Sequence, residues 1–110
     1  MGYFVVKQSD VNRQYYFRFN GNNHEQILAS EMYHNKLDCI NGIESVKRIA
    51  PYDGSYIRSD NVGNYRFNMV VPTNHKIVAR SSEGYETRYG REHAIATVKS
   101  EVINAPVYEW

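Results

Sequence analysis

The sequence predicts an α+β fold: two tandem βββα repeats and a short C-terminal strand, sharing one antiparallel sheet with both helices packed on one face. Three observations carry this prediction. A string is written twice, as Phe17, Arg18, Phe19, Asn20 and again as Tyr65, Arg66, Phe67, Asn68, and an isoleucine-led apolar run and a tyrosine follow each copy. Beyond each tyrosine the hydrophobic period changes from that of a strand to that of a helix. Finally, a chain of 110 residues supports one modest core, whereas half of it would be marginal alone. The copies are therefore expected to share one sheet about an internal pseudo-twofold. The chain reads as one domain over residues 1–110, with repeat one at 1–52 and repeat two at 53–110.

Tyr3 to Gln8 is rich in β-formers and ends at the polar run from Ser9 to Arg13, which reads as a strand and a turn. From Gln14 to Asn20, Phe17 and Phe19 alternate with Tyr16, Arg18 and Asn20, the pattern of a half-buried strand. Gly21, Asn22 and Asn23 tolerate the positive φ angles of a tight hairpin. Gln26 to Glu31 is then the third strand, with Ile27 and Ala29 expected on one face. Asn35 can cap a helix, Asp38 suits its first turn, and Lys47 and Arg48 suit its last. Cys39, Ile43, Val46 and Ala50 form its inner stripe, and Pro51 stops it. Gly42 beside that stripe suggests close approach to the sheet.

The second copy repeats this order. Tyr56 and Ile57 start a short strand, Asn61 to Asn64 with Gly63 form a turn, and Tyr65 to Val70 follow. Ile77 is matched with Ile27, Tyr85 with Tyr33, and Thr87 with the capping Asn35, while Ile95, Val98 and Lys99 fall on Ile43, Val46 and Lys47. The second hairpin and the end of its third strand each read as two residues longer, so duplication drift falls in loops. Val107, Tyr108 and Trp110 read as a final strand.

The run Asn41, Gly42, Ile43, Glu44, Ser45, Val46, Lys47, with Tyr33 before it and the repeated Arg-Phe-Asn strand, resembles the YegP-like family of tandem repeats. That family is functionally uncharacterised. The resemblance spans roughly residues 3 to 102 and implies three strands and a helix, repeated, with the strands joined in one sheet. It also implies that one-repeat members pair as dimers and that a two-repeat chain is a pseudo-dimer by itself, hence a monomer. Three departures stand out: a shorter first hairpin, Ala94 in place of the helical glycine, and Tyr89 with Gly90 weakening the start of the second helix. No catalytic or binding residue carries over.

Composition narrows the functions. Thirteen Lys and Arg stand against twelve Asp and Glu, so nothing global attracts nucleic acid or anionic membrane. A single cysteine excludes an internal disulfide and a multi-cysteine zinc cage and suits a reducing compartment. Met1 to Gln8 has no basic leader before an apolar core, and no run approaches the roughly 20 apolar residues of a membrane span. A cytoplasmic protein without membrane contact or cofactor is expected. His24, His34, His75 and His93 lack metal-ligand spacing, and Cys39 reads as a buried thiol. An enzyme using Cys39 or a His24–His75 pair is thus the weakest of three readings. The leading one is a non-enzymatic interaction module binding a protein partner. The alternative is a single-stranded nucleic-acid binder using the sheet face opposite the helices, where alternation places Tyr16, Arg18, Asn20, Asn64, Arg66 and Asn68, with Arg58 added from the linking strand. Against both stands a solvated face whose arginines pair with carboxylates across strands.

Overall fold

A computed structural model describes residues 2–109; the expectation for Trp110 lies outside the described residues. Strands β1 (Tyr3–Gln8), β2 (Tyr15–Asn20) and β3 (Gln26–Ser30) precede helix α1 (Lys36–Ile49). After a single 3-10 turn come β4 (Tyr56–Asn61), β5 (Asn64–Val70), β6 (Ile77–Ser81), helix α2 (Arg88–Glu101) and β7 (Val107–Glu109). All seven strands form one sheet in the order β4-β5-β6-β3-β2-β1-β7. The two copies meet at the antiparallel β3–β6 pair, and the strand order reads outward the same way on either side of it. The sheet is antiparallel except at β7, which lies parallel to β1 and is tied to it by the Phe4 N–H donating to the Pro106 carbonyl at 2.8 Å. The sheet is therefore mixed. Each helix delivers the chain to the far side: α1 leads to β4 at one edge and α2 to β7 at the other.

The repeated string proves to be out of structural register by two residues. Isolated bridges join Tyr15 to Tyr33 and Tyr65 to Tyr85. The amide of Phe17 donates to Ser30 Oγ, as that of Phe67 does to Ser81 Oγ. Phe17 therefore corresponds to Phe67, Tyr16 to Arg66 and Arg18 to Asn68; Phe17 does not correspond to Tyr65. The turn between the first two strands accounts for the slip, since Gln8 pairs with Tyr15 across a longer turn than the one through Val62 and Gly63 that joins Asn61 to Asn64. A two-residue slip leaves each side chain on its original face, so the assignment of faces survives the wrong alignment.

The third strands differ from simple alternation. Register shifts lie opposite Ile27 and Leu28 in one copy and opposite Val78 and Ala79 in the other. Each bulge turns two successive residues toward the helices, and all four join the core. Ala29, expected beside Ile27, instead pairs with Arg18 on the opposite face.

Both helices begin as their caps predict. The Asp38 N–H donates to Asn35 Oδ1 at 2.8 Å and the Gly90 N–H to Thr87 Oγ1 at 3.0 Å. Gly90, expected to weaken the start of α2, supplies the capped amide, and the two helices are equally long. The core between helices and sheet holds Phe4, Phe17, Phe19, Phe67, Leu28 and Met69 from the strands. Ile43, Val46, Ile95 and Val98 meet them from the helices. Each fully buried phenylalanine removes apolar area worth about 1.5–3 kcal/mol. Gly42 is backed by the Tyr33 phenol and Phe17, the close approach its position suggested.

Positive φ angles fall at Arg13, His24, His75 and Gly63, so the left-handed residue of the first hairpin is His24 and not Gly21, Asn22 or Asn23. Gly63, at φ +76°, has no neighbour within 4 Å of a built Cβ, and neither has Gly54, whose φ is ordinary. Gly63→Ala should therefore cost about 1 kcal/mol from backbone strain alone, while Gly54→Ala should be neutral or stabilising by up to about 1 kcal/mol. Urea unfolding of the two variants measures the difference, and equal midpoints would contradict the strain.

Candidate functional site

The sheet face opposite the helices is built by the alternate residues of every strand, and no described segment covers it. A continuous cross-strand row runs Tyr108, Val5, Arg18, Ala29, Arg80, Asn68, Ile57. At about 4.8 Å per strand it spans roughly 29 Å. Of the seven residues the sequence assigned here, the structure places Tyr16, Arg18, Asn20, Asn64, Arg66 and Asn68 on this face. Arg58 is not among them. It pairs with the core residue Phe67 and so points to the helix side, where its guanidinium binds Glu92 at 2.8 and 3.0 Å and Asp53 at 3.1 Å. The unknown register of β4 concealed this.

Arg18 and Arg66 are the distinctive residues of the bare face. Arg18 lies over the Tyr16 ring, 4.5 Å from its centroid, and Arg66 Nε donates to Asn64 Oδ1 at 3.1 Å. Among the described residues neither forms an ion pair. Arg58, Arg80, Arg88 and Arg91 each do. Register also puts Lys7 and Arg80 on this face. Arg80 is bound to Glu31. Arg18 and Arg66 thus carry unmatched charge on this face, although the whole chain is nearly neutral. Sequence reading missed Arg80, Tyr3 and Tyr108. Tyr3 contacts the Tyr108 ring edge-on at 5.9 Å through the β1–β7 pairing, and its hydroxyl lies 2.9 Å from His24 Nδ1 because the β1–β2 pairing sets Tyr3 opposite Asn20 at the base of the first hairpin.

The other nucleophile and histidine candidates are separated by the fold. Cys39 is fully buried, and burial pushes its thiol up to about 11, which disfavours the thiolate. Because β3 and β6 are antiparallel, the hairpins carrying His24 and His75 lie at opposite ends of the sheet, so these two histidines do not meet. His34 lies 3.3 Å from the Gln14 amide and His93 stacks on Tyr89. Among the described residues no group of three or more His, Cys, Asp or Glu is arranged to hold a metal.

On the helix side, charges are closely matched. Arg91, which structurally replaces the buried Cys39, is 4% exposed and donates to Asp60 and Glu92. Hydrogen bonds from Arg91 hold the Asp60 carboxyl below its usual range, and hydrogen bonds from Arg58 do the same for Asp53 and Glu92.

A family model described as "Domain of unknown function (DUF1508)" matches this chain twice, at residues 10–56 and 60–109. The chain belongs to this family. A UPF0339 protein of Bordetella pertussis is 40% identical over 105 residues, covering 96% of this chain and 92% of the relative. The UPF0339 protein YegP of Escherichia coli K12 is 36% identical over 100 residues, covering 90% and 88%. Two solution NMR structures share the fold. That of a UPF0339 protein from Shewanella oneidensis has a TM-score of 0.88 at 28% identity, covering 98% of this chain and 90% of its own. That of yegP from Escherichia coli, described as of unknown function, has 0.87 at 33% identity, covering 98% and 91%. The YegP-like resemblance read from Asn41 to Lys47 is thereby established, and the family brings no function with it. No helix is long and apolar enough to cross a membrane among the described residues.

The helix-side network makes stability pH-dependent. Asp53, Asp60 and Glu92 have depressed folded values, so their contribution is fully present above the unfolded carboxyl range near pH 4 and is lost as pH falls through the folded values. Asp60→Asn should lower the thermal midpoint at neutral pH and flatten the acid limb between about pH 5 and 2. An acid limb as steep as that of the parent would contradict this role.

Proposed function

We propose that this chain is a non-enzymatic binding module that engages an acidic segment of a protein partner through its bare sheet face. The observation that carries the reading is the contrast among arginines. Of eight arginines, four are neutralised by carboxylates. Of the other four, Arg13 lies in a turn and Arg48 at the end of α1, while Arg18 and Arg66 lie on the open face with a tyrosine ring and an asparagine. An exposed guanidinium oriented by stacking or by a neutral hydrogen bond loses little entropy on binding a carboxylate and can take it bidentately. The side chain of Asn68 adds a donor and an acceptor without charge beside Arg80, which suits peptide recognition. The absence of a wide basic footprint favours an acidic protein over nucleic acid.

A second reading, single-stranded nucleic acid, is favoured by the Arg18–Tyr16 stack with Tyr3 and Tyr108 on the same face, since aromatic and arginine planes are the groups on which bases stack. The Cys39 and histidine placements support the non-enzymatic part of the proposal.

Fluorescence titrations with a labelled Glu/Asp-rich peptide and with labelled single-stranded DNA and RNA, at low and moderate salt, distinguish the readings. The peptide should bind, and the double variant Arg18→Ala, Arg66→Ala should weaken it about tenfold and flatten its salt dependence. Nucleic acid bound more tightly than peptide would reverse the order of the two readings. Peptide binding indifferent to the double substitution would remove the sheet face as the site.

A further inference from the structure

Two clefts lie between helix and hairpin, each formed by elements of different copies. One, of about 430 Å³, lies between the β2–β3 hairpin and α2; the other, of about 510 Å³, lies between the β5–β6 hairpin and α1. They occupy equivalent places, with Tyr85, Ala94 and Thr97 in the first where the second has Tyr33, Gly42 and Ser45. Their chemistry differs. The first contains two of the buried side-chain oxygens without a hydrogen-bond partner, Tyr85 Oη and Glu101 Oε1, and Glu25 joins its wall.

Glu101 is out of keeping with the fold. By the helix equivalence it replaces Ile49, a core residue 5% exposed in copy one. The other ionisable residue on this inner stripe, Arg91, replaces Cys39 and is satisfied by Asp60 and Glu92. Glu101 has no such partner for its buried oxygen. It also ends the last turn of α2, where free carbonyls disfavour a negative charge. Lys99, the basic residue of that turn, is committed to Asp53 at 3.2 Å. A carboxylate against a helix C-terminus with a buried, unmatched oxygen calls for a cation from outside the chain.

The cleft has a second anionic end. Tyr85 lies with its Cβ and ring edge beside Gly90, and by its equivalence with Tyr33, whose hydroxyl faces Gly42, its hydroxyl is directed to the Ala94 turn. Glu25 and Glu83 act on its phenol, which burial first and these charges second push up to about 12. Ala94 and Glu101 are seven residues apart on the helix, roughly 10 Å along its axis. Between the ends the wall holds Ile27, Ala94 and Thr97, with Asn22, Asn23 and His93 at its polar margin. We propose that this cleft binds a linear aliphatic diamine or polyamine, with one ammonium on Glu101, the other between Glu25 and the Tyr85 hydroxyl, and the methylene chain across Ile27, Ala94 and Thr97.

The test is an amide-shift NMR titration of the full chain with putrescine and spermidine, with butylamine and sodium chloride at matched ionic strength as references. Saturable shifts are expected at Gly21, Thr97 and Glu101, with putrescine tighter than butylamine because only it has two ammonium ends. Glu101→Gln should weaken putrescine about tenfold while leaving the thermal midpoint of the amine-free protein unchanged or higher, since this carboxylate has no partner to lose. Shifts that match those of sodium chloride, butylamine binding as tightly as putrescine, or undiminished binding by Glu101→Gln would each overturn the proposal. So would a lower midpoint for the amine-free variant, because it would show that Glu101 has a structural partner.

Discussion

The pairing of β3 with β6 is the constraint on which the rest of the molecule depends. Each copy supplies three strands, and without the other copy its third strand would expose a row of unpaired backbone groups. Joining these edges places Leu28 opposite Ser81 and Ser30 opposite Ala79, and it lets one core draw on Phe17 and Phe19 from one side and Phe67 and Met69 from the other. The crossing of each helix to a strand on the far side ties the copies together again. The same antiparallel seam sets the two hairpins at opposite ends of the sheet, where each reaches the helix of the other copy. Both clefts are consequences of it.

Charge is distributed by the same geometry. The helix side holds a network in which Arg58 and Arg91 meet Asp53, Asp60 and Glu92, so these three carboxylates are consumed by cations close at hand, while Glu101 at the end of α2 is not. The bare face keeps Glu31 for Arg80 and leaves Arg18 and Arg66 without an acid. A nearly neutral total thus conceals two unlike surfaces, one with a closed network around Asp60 and Glu92 and one that leaves arginines open. The local residue pattern, not the net charge, bears on binding.

Much of this was legible in the sequence, for reasons that can be named. Helix ends were read because Asn35 and Thr87 have side chains whose capping geometry is local. Faces were read because strand alternation has a period of two, which even the misaligned Arg18/Arg66 repeat could not disturb. What failed was long-range or irregular. Arg58 was misplaced because only its pairing with Phe67 fixes which way β4 points. Ala29 was misplaced because a bulge inserts a residue that no local pattern announces. The left-handed residue of the first hairpin is His24, although neighbouring Gly21, Asn22 and Asn23 were better suited by type. Glu101 gave no signal until the helix equivalence set it against Ile49.

Neither copy completes a sheet or a core without the other. This interdependence is tested most directly by expressing residues 1–52 and 53–110 as separate fragments and measuring their oligomeric state and unfolding, alone and mixed. Each fragment alone should be unfolded or driven to dimerise through its exposed third strand, and mixing should restore a one-to-one complex with a cooperative transition. Two monomeric fragments that each unfold cooperatively would contradict the shared sheet.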